Sequence, residues 1–231
     1  MCEVGGIGLP GDKIVDKETD GRIVLGPGLR KETEHVLMTK PGKLCFKDPN
    51  IYWVDSHHKR YIPVRGENVL GVVTNKSGDT FKVDIGGSEQ ASLSYLAFEG
   101  ATKRNRPDVK IGDQVFCKLL VASKHTEPEV VCIDSSGKSN GLGVIRDGGM
   151  TITTPCNHIR KILSPDCVLL KTLGNSLPYE IAIGMNGKIW IKGRTTKETI
   201  ALTNAIACAE YMNNEQISLM CRKLVNSLSG F

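Results

Sequence analysis

The segment VLGVVTNKSGDTFKVDIGG, residues 69–87, opens the stretch of sequence that decides the fold of this chain. Within it, Thr80–Ile85 alternates apolar and polar residues, with Phe81 and Val83 on one face and Lys82 on the other. A period of two residues is typical of a half-buried strand.

Further strand-like runs, separated by turn signals, follow at near-regular spacing as far as Asp134. They are Val69–Thr74, Glu89–Leu93, Val115–Ala122 and Glu129–Asp134. This stretch holds too few residues for a two-layer sandwich. The pattern therefore predicts a small closed barrel of five strands, the OB type.

The barrel is the middle one of three predicted domains. Residues 1–64 are predicted to form a small β domain, because short β-like runs there are separated by the turn signals Pro41-Gly42 and Asp48-Pro49-Asn50. Its first ~25 residues are polar, and we expect them to be flexible. The barrel domain spans residues 65–138. Residues 139–231 show strand-like runs first and helices later, which predicts an α+β domain, so the fold class is multidomain β and α+β.

Two local signals predict helices in the last domain. Ser164-Pro165 predicts the start of a short helix, with Ser at the N-cap, Pro at the first helical position and Gly174 at the end. Thr195 and Glu198 have the spacing of a capping box and predict a helix over Thr199–Met212.

The glycine motif Gly184-Met185-Asn186-Gly187 has two interpretations. It matches the Gly-x-x-Gly loop with which KH domains approach a nucleic-acid strand closely. Such a loop joins two helices, whereas β-like runs lie on both sides of this one. The residues therefore favour a hairpin turn, in which Asn186-Gly187 suits a type I′ geometry.

Composition sets broad limits on function. A formal net charge of +5 permits binding to a polyanion without demanding it. No apolar run approaches the roughly 20 residues that span a bilayer, and the first residues lack a secretory signal, so we expect no membrane partner. The 8 cysteines include no Cys-x-x-Cys pair, which predicts reduced thiols and no metal site.

The densest basic cluster is Lys103-Arg104-Asn105-Arg106, predicted to lie on a loop at the rim of the barrel. Barrels of this type track a phosphate backbone with such loops, so Lys103, Arg104 and Arg106 are candidate RNA contacts. Lys76, on the first barrel turn, is a weaker candidate by the same argument. The alternative is a solvated loop, or one that docks on an acidic protein neighbour.

The barrel offers few aromatic residues on which bases could stack. They are Phe81, Tyr95, Phe98 and Phe116, and Phe81 shares its face with core residues. Barrels that grip RNA present several exposed aromatic side chains on the binding sheet. We therefore expect this chain to line part of a larger channel rather than to bind RNA strongly alone.

No arrangement of residues predicts catalysis. The barrel carboxylates lie at turns and strand ends, and none forms the close cluster that would hold two metal ions. No phosphate-binding Gly-x-x-x-x-Gly-Lys segment is present. The sequence predicts no catalytic residue, no cofactor and no enzyme activity.

The barrel segment resembles a known RNA-binding family. Val72-Val73, Phe81–Gly86 and Ile111–Val115 resemble the S1 RNA-binding domain. Ser94–Pro107 narrows the resemblance to the exosome component 3 family, the S1/KH cap subunits of the eukaryotic RNA exosome. The likeness extends from about Gly26 to the C-terminus.

The glycine motif, followed by Lys188–Ile191, supports the same family. The resemblance implies that the last domain is KH-like. It also implies that Gly184, Asn186, Gly187 and Trp190 form a structural motif at the interface with the S1 domain and do not hold RNA.

The resemblance further implies a non-catalytic cap subunit that stabilises a ring of RNase PH-like subunits and guides single-stranded RNA into its channel. The implied partners are those ring subunits, other S1/KH cap subunits and associated exoribonucleases, in nucleus, nucleolus and cytoplasm. The alternative is a free-standing S1/KH RNA-binding regulator of transcription or translation. S1 and KH domains also accompany catalytic RNase PH domains in bacterial polynucleotide phosphorylase, but this chain has no room for such domains.

Overall fold

The computed structural model describes residues 2–14, 23–33, 35–57, 60–123, 126–146 and 148–229. The chain divides into two compact units, Met1–His58 and Lys59–Phe231. Among the described residues, no helix is both long enough and apolar enough to cross a membrane.

The first unit is a small β domain, as the turn signals predicted. Its strands are β1 (Ile7–Gly8), β2 (Val24–Leu25), β3 (Leu29–Lys31), β4 (Val36–Met38), β5 (Gly42–Lys47) and β6 (Ile51–Asp55). Four of them form a sheet in the order β1-β5-β6-β2, and β3 pairs with β4. Met38, Leu44 and Tyr52 are the largest fully buried side chains of its core. Residues 15–22, part of the segment expected to be flexible, lie outside the described residues.

The second unit begins with the predicted five-stranded barrel. Its strands are β7 (Asn68–Ser77), β8 (Thr80–Asp84), β9 (Ala91–Ser94), β10 (Gln114–Val121) and β11 (Glu129–Val131). They pair in the order β11-β9-β8-β7-β10, and β10 pairs again with β11, which closes the barrel. Closure leaves no free strand edge among these five strands.

The alternation seen in the sequence fills the barrel interior. Phe81 is 3% exposed and Val83 is fully buried, so the face predicted to be the core is the core. Cys117 is buried in the same cluster, and burial raises the pKa of its thiol to about 12, which keeps it protonated. All 8 cysteines are free thiols, as expected.

The polar segment after the barrel is a structured loop. The Asp134 carboxylate accepts hydrogen bonds from the backbone N–H groups of Ser136 at 2.8 Å and Lys138 at 3.1 Å. The Ser139 N–H donates to the Glu99 carboxylate of the barrel at 2.8 Å. Strand β12 (Gly143–Ile145) then pairs antiparallel with β10. The chain therefore leaves the barrel along the barrel's own sheet.

The last part of the chain is an α+β domain, as predicted. Its elements are β13 (Met150–Thr153), α1 (Cys156–Leu163), α2 (Leu169–Ser176), β14 (Tyr179–Ile183), β15 (Lys188–Gly193), α3 (Thr196–Cys208) and α4 (Asn214–Ser229). The sheet order is β13-β15-β14, and the helices pack on one face of the sheet. Ile159, Leu173, Ile189 and Leu202 are among the buried residues of this core.

The prediction that Ser164-Pro165 starts a helix was wrong. Ser164 follows the end of α1, where its N–H donates to the Lys161 carbonyl at 3.2 Å. Gly174 lies inside α2, not at its end. Proline cannot continue a helix and is therefore common just after the C-cap, which is where Pro165 stands after Ser164. A Ser-Pro pair occurs at both kinds of helix boundary, and here it marks the end.

The Thr195 cap was predicted correctly, but the helix it starts is Thr196–Cys208 and not Thr199–Met212. The Thr195 hydroxyl accepts a hydrogen bond from the Glu198 N–H at 3.2 Å, and α3 begins at the next residue, Thr196. The Glu198 carboxylate accepts a hydrogen bond from the Arg194 N–H at 3.0 Å, one residue before the N-cap. Two backbone donors at the start of the helix are satisfied in this way.

His158 on α1 predicts a specific pH dependence of stability. The imidazole is 2% exposed, and its Nε2 lies 2.7 Å from the Ile206 carbonyl oxygen, to which the neutral ring donates. Burial lowers the pKa of His158. In the unfolded chain the histidine pKa is near 6.5, so as the pH falls the unfolded chain binds the proton before the folded chain does. The contribution of His158 to stability is therefore complete above about pH 6.5 and is lost as the pH falls below it. We expect a slope of at most about 1.4 kcal/mol per pH unit in urea unfolding, absent in His158→Gln.

His35→Gln is the matched control, because it removes an exposed histidine and leaves the buried His158 in place. A wild-type profile in His158→Gln would contradict this assignment.

Candidate nucleic-acid interface

The basic cluster lies on the loop that leads from Phe98 to β10. The Thr102 N–H donates to the Asn105 carbonyl at 3.0 Å, and the Asn105 N–H donates to the Thr102 hydroxyl at 3.0 Å. Lys103 and Arg104 are the two central residues of the turn that these bonds close, and both are exposed. We call Thr102–Asn105 the basic turn. Neither basic side chain forms an ion pair within the part of the chain that the structure describes.

Arg106 lies directly after the basic turn and contacts the barrel. Its guanidinium is 3.1 Å from the Asp79 carboxylate, on the turn between β7 and β8. The guanidinium carbon is also 4.7 Å from the centroid of the Tyr95 ring, which is 5% exposed. Sequence reasoning missed these two partners, because both are distant from Arg106 along the chain.

Lys76 lies beside the same turn. It is opposite Phe81 in the β7–β8 register, and its ammonium is 5.4 Å from the Phe81 ring centroid. Phe81 in turn meets Phe98 edge to face, with ring centroids 6.5 Å apart. The structure therefore brings Lys76 and Arg106 to one end of the barrel, next to the basic turn.

Within the described residues, the barrel has no fully exposed aromatic side chain. Phe81 and Tyr95 are buried, Phe98 packs against the core, and Phe116 on β10 is half-buried. On the outer face of β8, the Lys82 ammonium is 2.5 Å from the Glu127 carboxylate, so a carboxylate neutralises it. This face can contact phosphate groups but offers little on which bases could stack.

The glycine motif forms the turn of the β14–β15 hairpin. The Gly184 N–H donates to the Lys188 carbonyl at 2.9 Å, and the Gly187 N–H donates to the Gly184 carbonyl at 3.1 Å. The type I′ prediction was wrong, because Gly187 has a φ of +86° whereas Asn186 does not have a positive φ. A single left-handed glycine after the turn is the pattern of a three-residue hairpin loop with a bulge.

Asn186 joins this hairpin to the barrel. Its amide nitrogen donates to the carbonyls of Leu70 and Ile85, each at 2.8 Å, and its amide oxygen accepts from the Leu70 N–H at 3.2 Å. The neighbouring Met185 N–H donates to the Asn68 carbonyl at 2.8 Å. The Met185 side chain packs against the hydrophobic cores of both the barrel and the last domain.

The two glycines allow this close approach. A Cβ on Gly184 would lie 2.3 Å from the Asn186 amide oxygen and 2.6 Å from the Leu70 nitrogen. A Cβ on Gly187 would lie 2.3 Å from the Thr154 carbonyl oxygen. A side chain at either position would therefore displace the hairpin from the residues it contacts.

Trp190 lies on the face of the sheet opposite the helices. Ile189 and Ile191, its neighbours on β15, point into the helix-covered core, so Trp190 points away from it. It is 8% exposed, and the indole packs so closely on Gly149 that a Cβ there would lie 2.6 Å from Nε1. Strands β14 and β15 also lie close to β7 of the barrel.

The loop that joins α1 to α2 lacks the features of a nucleotide-gripping KH loop. Residues 164–168, SPDCV, contain no glycine and carry the acidic Asp166. The Asp166 carbonyl accepts a hydrogen bond from the Asn214 side chain of α4 at 2.9 Å, and Cys167 is 8% exposed. With the glycine motif turned toward the barrel, neither loop presents a glycine backbone to a nucleic-acid strand.

Within the described residues, no group of three or more His, Cys, Asp or Glu side chains could hold a metal ion. The barrel carboxylates instead accept hydrogen bonds and pair with basic side chains. Asp84, for example, accepts from the Gly86 N–H at 2.8 Å and lies 3.7 Å from the Lys188 ammonium.

Three family models match this chain. The S1 domain of exosome complex component RRP40 matches residues 61–143, and a KH domain matches residues 149–197. The N-terminal model of the mammalian exosome complex component RRP40 matches residues 9–57.

Individual proteins match along most of the chain. The exosome complex component RRP40 of Bos taurus is 51% identical over 213 residues, which are 90% of this chain and 78% of that protein. The protein of the same name from Drosophila melanogaster is 44% identical over 233 residues and covers both chains fully. A crystal structure described as an exosome complex RNA-binding protein is 20% identical, with a TM-score of 0.60, and covers 71% of this chain and 97% of its own.

The contacts of Asn186 predict the effect of its loss. Asn186→Ala removes three hydrogen bonds and leaves buried carbonyl and N–H groups of Leu70 and Ile85 without partners. We expect the free energy of unfolding, measured with urea, to fall by about 2–4 kcal/mol. Asn204→Ala on α3 is the control, because Asn204 is exposed and alanine favours the helix. Equal effects of the two substitutions would contradict the joining role of Asn186.

Proposed function

Because this chain belongs to the exosome complex component RRP40 family, we propose that it is a non-catalytic, RNA-binding cap subunit of the RNA exosome. The observation that carries the proposal is the position of Asn186. The motif that could be mistaken for an RNA-binding loop instead contacts the S1 barrel, and its Asn186 is 7% exposed. The S1 barrel and the KH-like domain are thereby held together as one module, suited to a fixed place in a larger assembly.

In that assembly we propose that the chain helps to hold a ring of RNase PH-like subunits together, beside other S1/KH cap subunits. It would guide single-stranded RNA toward the channel and the associated exoribonucleases, in ribosomal RNA maturation, RNA surveillance and messenger RNA turnover. The proposed locations are the nucleus, the nucleolus and the cytoplasm. The family membership supports association with the exosome and RNA, and the more specific partners are part of the proposal.

The surface of the barrel supports a guiding role. A strand that passes through a channel needs contacts that do not depend on sequence and release easily. Lys103 and Arg104 on the basic turn, with Lys76 nearby, can contact phosphate groups, which is a sequence-independent and salt-sensitive interaction. The absence of exposed stacking aromatics on the described barrel face supports weak retention of any one base.

Gly184, Asn186, Gly187 and Trp190 have a structural role in this proposal. They join the KH-like sheet to the barrel and take no part in RNA binding. The proposed absence of catalysis rests on family membership and on the carboxylates of the barrel, which serve turns and ion pairs.

The assembly predicts the native mass of the protein. When the tagged chain is purified from its own cells under native conditions, we expect a stable multi-subunit particle that contains RNase PH-like proteins. Native mass spectrometry with subunit identification measures this. A monomer that carries only RNA would contradict the cap assignment and would support the free-standing regulator.

The basic turn predicts the salt dependence of RNA binding. Lys103→Ala with Arg104→Ala removes two proposed phosphate contacts, each of which contributes roughly 0.7 to the slope of log K against log salt for a single strand. For the full chain binding fluorescent oligo(U), we expect this negative slope to become shallower by about 1.4. Arg222→Ala with Lys223→Ala on α4 is the charge-matched control, since both residues are exposed on the KH-like domain. If the control pair makes the slope shallower by the same amount, the phosphate contacts do not lie on the basic turn in particular.

A further inference from the structure

Resting on the RNA-guiding role proposed above, we propose that Arg106 is a positioning residue. On this assignment Arg106 does not contact RNA. It holds the basic turn against the barrel through Asp79 and Tyr95, so that Lys103 and Arg104 meet the phosphate groups. The sequence placed all three basic residues together as RNA contacts, and the geometry separates them into two roles.

The contacts of Arg106 are already made within the chain. One edge of its guanidinium lies 3.1 Å from the Asp79 carboxylate, and it lies over the Tyr95 ring at 4.7 Å. An exposed ion pair alone contributes little to stability. A planar guanidinium held on a fixed aromatic ring and on a carboxylate has a defined position, which lysine cannot reproduce.

Both partners of Arg106 are held by the barrel. The Tyr95 N–H donates to the Asp79 carbonyl at 3.2 Å, which links the end of β9 to the β7–β8 turn. The Thr80 hydroxyl donates to the Ser77 carbonyl at 3.1 Å across the same turn. Asp79 and Tyr95 therefore form a fixed surface on which Arg106 lies.

The basic turn depends on Arg106 for its direction. Its own hydrogen bonds, between Thr102 and Asn105 and from the Asn105 side chain to the Gly100 carbonyl at 3.3 Å, are all local to the loop. These bonds fix the shape of the turn but not its direction relative to the barrel. Among the described residues, the one side chain of residues 101–106 that makes an ion pair or ring contact outside the loop is Arg106.

The alternative, in which Arg106 itself contacts a phosphate, makes the opposite prediction for Asp79→Asn. That substitution removes a negative charge and the ion-pair partner of Arg106. If Arg106 were an RNA contact, freeing it and raising the net charge by one would tighten RNA binding. If Arg106 positions the turn, the same substitution weakens RNA binding despite the more positive charge.

The experiment measures oligo(U) binding by fluorescence anisotropy for the full chain at low salt, with the slope against salt. For Asp79→Asn and Arg106→Lys we expect binding to weaken about two- to fivefold, the size of an exposed cation–π contact. Asp108→Asn is the matched control. Asp108 is an exposed carboxylate paired with Arg146 at 3.8 Å, so its loss adds the same charge without touching Arg106. We expect this control to bind RNA as well as, or more tightly than, the wild type.

A second measurement needs no RNA. Backbone ¹⁵N relaxation should show lower order parameters for Lys103 and Arg104 in Asp79→Asn and in Arg106→Lys, with wild-type values in Asp108→Asn. Unchanged melting temperatures would establish that the variants are folded. Unchanged order of the turn in both variants would overturn the positioning role, whatever the RNA affinities.

The outcomes distinguish this inference from the proposed function. If Asp79→Asn tightens RNA binding and Arg106→Lys binds like the wild type, while Lys103→Ala with Arg104→Ala still lowers the slope, Arg106 is not a positioning residue and the RNA role of the turn stands. If Lys103→Ala with Arg104→Ala changes neither affinity nor slope, the proposed RNA contact fails, and the positioning inference fails with it.

Discussion

The architecture of the second unit depends on one side chain that satisfies three backbone groups of another domain. The Asn186 amide is suited to this because it carries both donors and an acceptor, and it meets the Leu70 N–H, the Leu70 carbonyl and the Ile85 carbonyl. These backbone groups are buried, so leaving them unpaired would cost more than any single exposed contact contributes. Met185 adds an apolar contact to both cores beside them. The KH-like sheet is thereby held close to β7 of the barrel.

The same position supports the proposal that the motif does not bind RNA. A KH loop presents glycine backbone to a nucleic-acid strand. Here the close approach permitted by Gly184 is made to the barrel backbone, where a Cβ would collide. The loop in the position of a KH grip is acidic and is held by Asn214 of α4. The RNA contacts that we propose lie on the barrel.

Some of the positive charge at the barrel is compensated. Lys82, Arg106 and, from β15, Lys188 each lie beside a barrel or loop carboxylate. Lys103 and Arg104 are exposed at the apex of a closed turn. Such a distribution gives a small, localised positive surface rather than a broad basic one. It fits a protein that guides a polyanion past one point and does not retain it.

Sequence patterns predicted the local structure correctly wherever one physical signal dominated. The period of two in Thr80–Ile85 predicted the barrel face, and the Thr195–Glu198 spacing predicted the start of α3, because burial and capping act over a few residues. Where a signal fits two structures, as Ser164-Pro165 does, it gave the wrong one. Likewise, Asn186-Gly187 suited a type I′ turn, but the structure has a three-residue hairpin loop with a bulge, in which Asn186 contacts the barrel. The tertiary structure was needed to show that Asn186 forms hydrogen bonds with Leu70 and Ile85, and that Arg106 contacts Asp79 and Tyr95. Those partners are far apart in sequence, and barrel closure and domain packing bring them together.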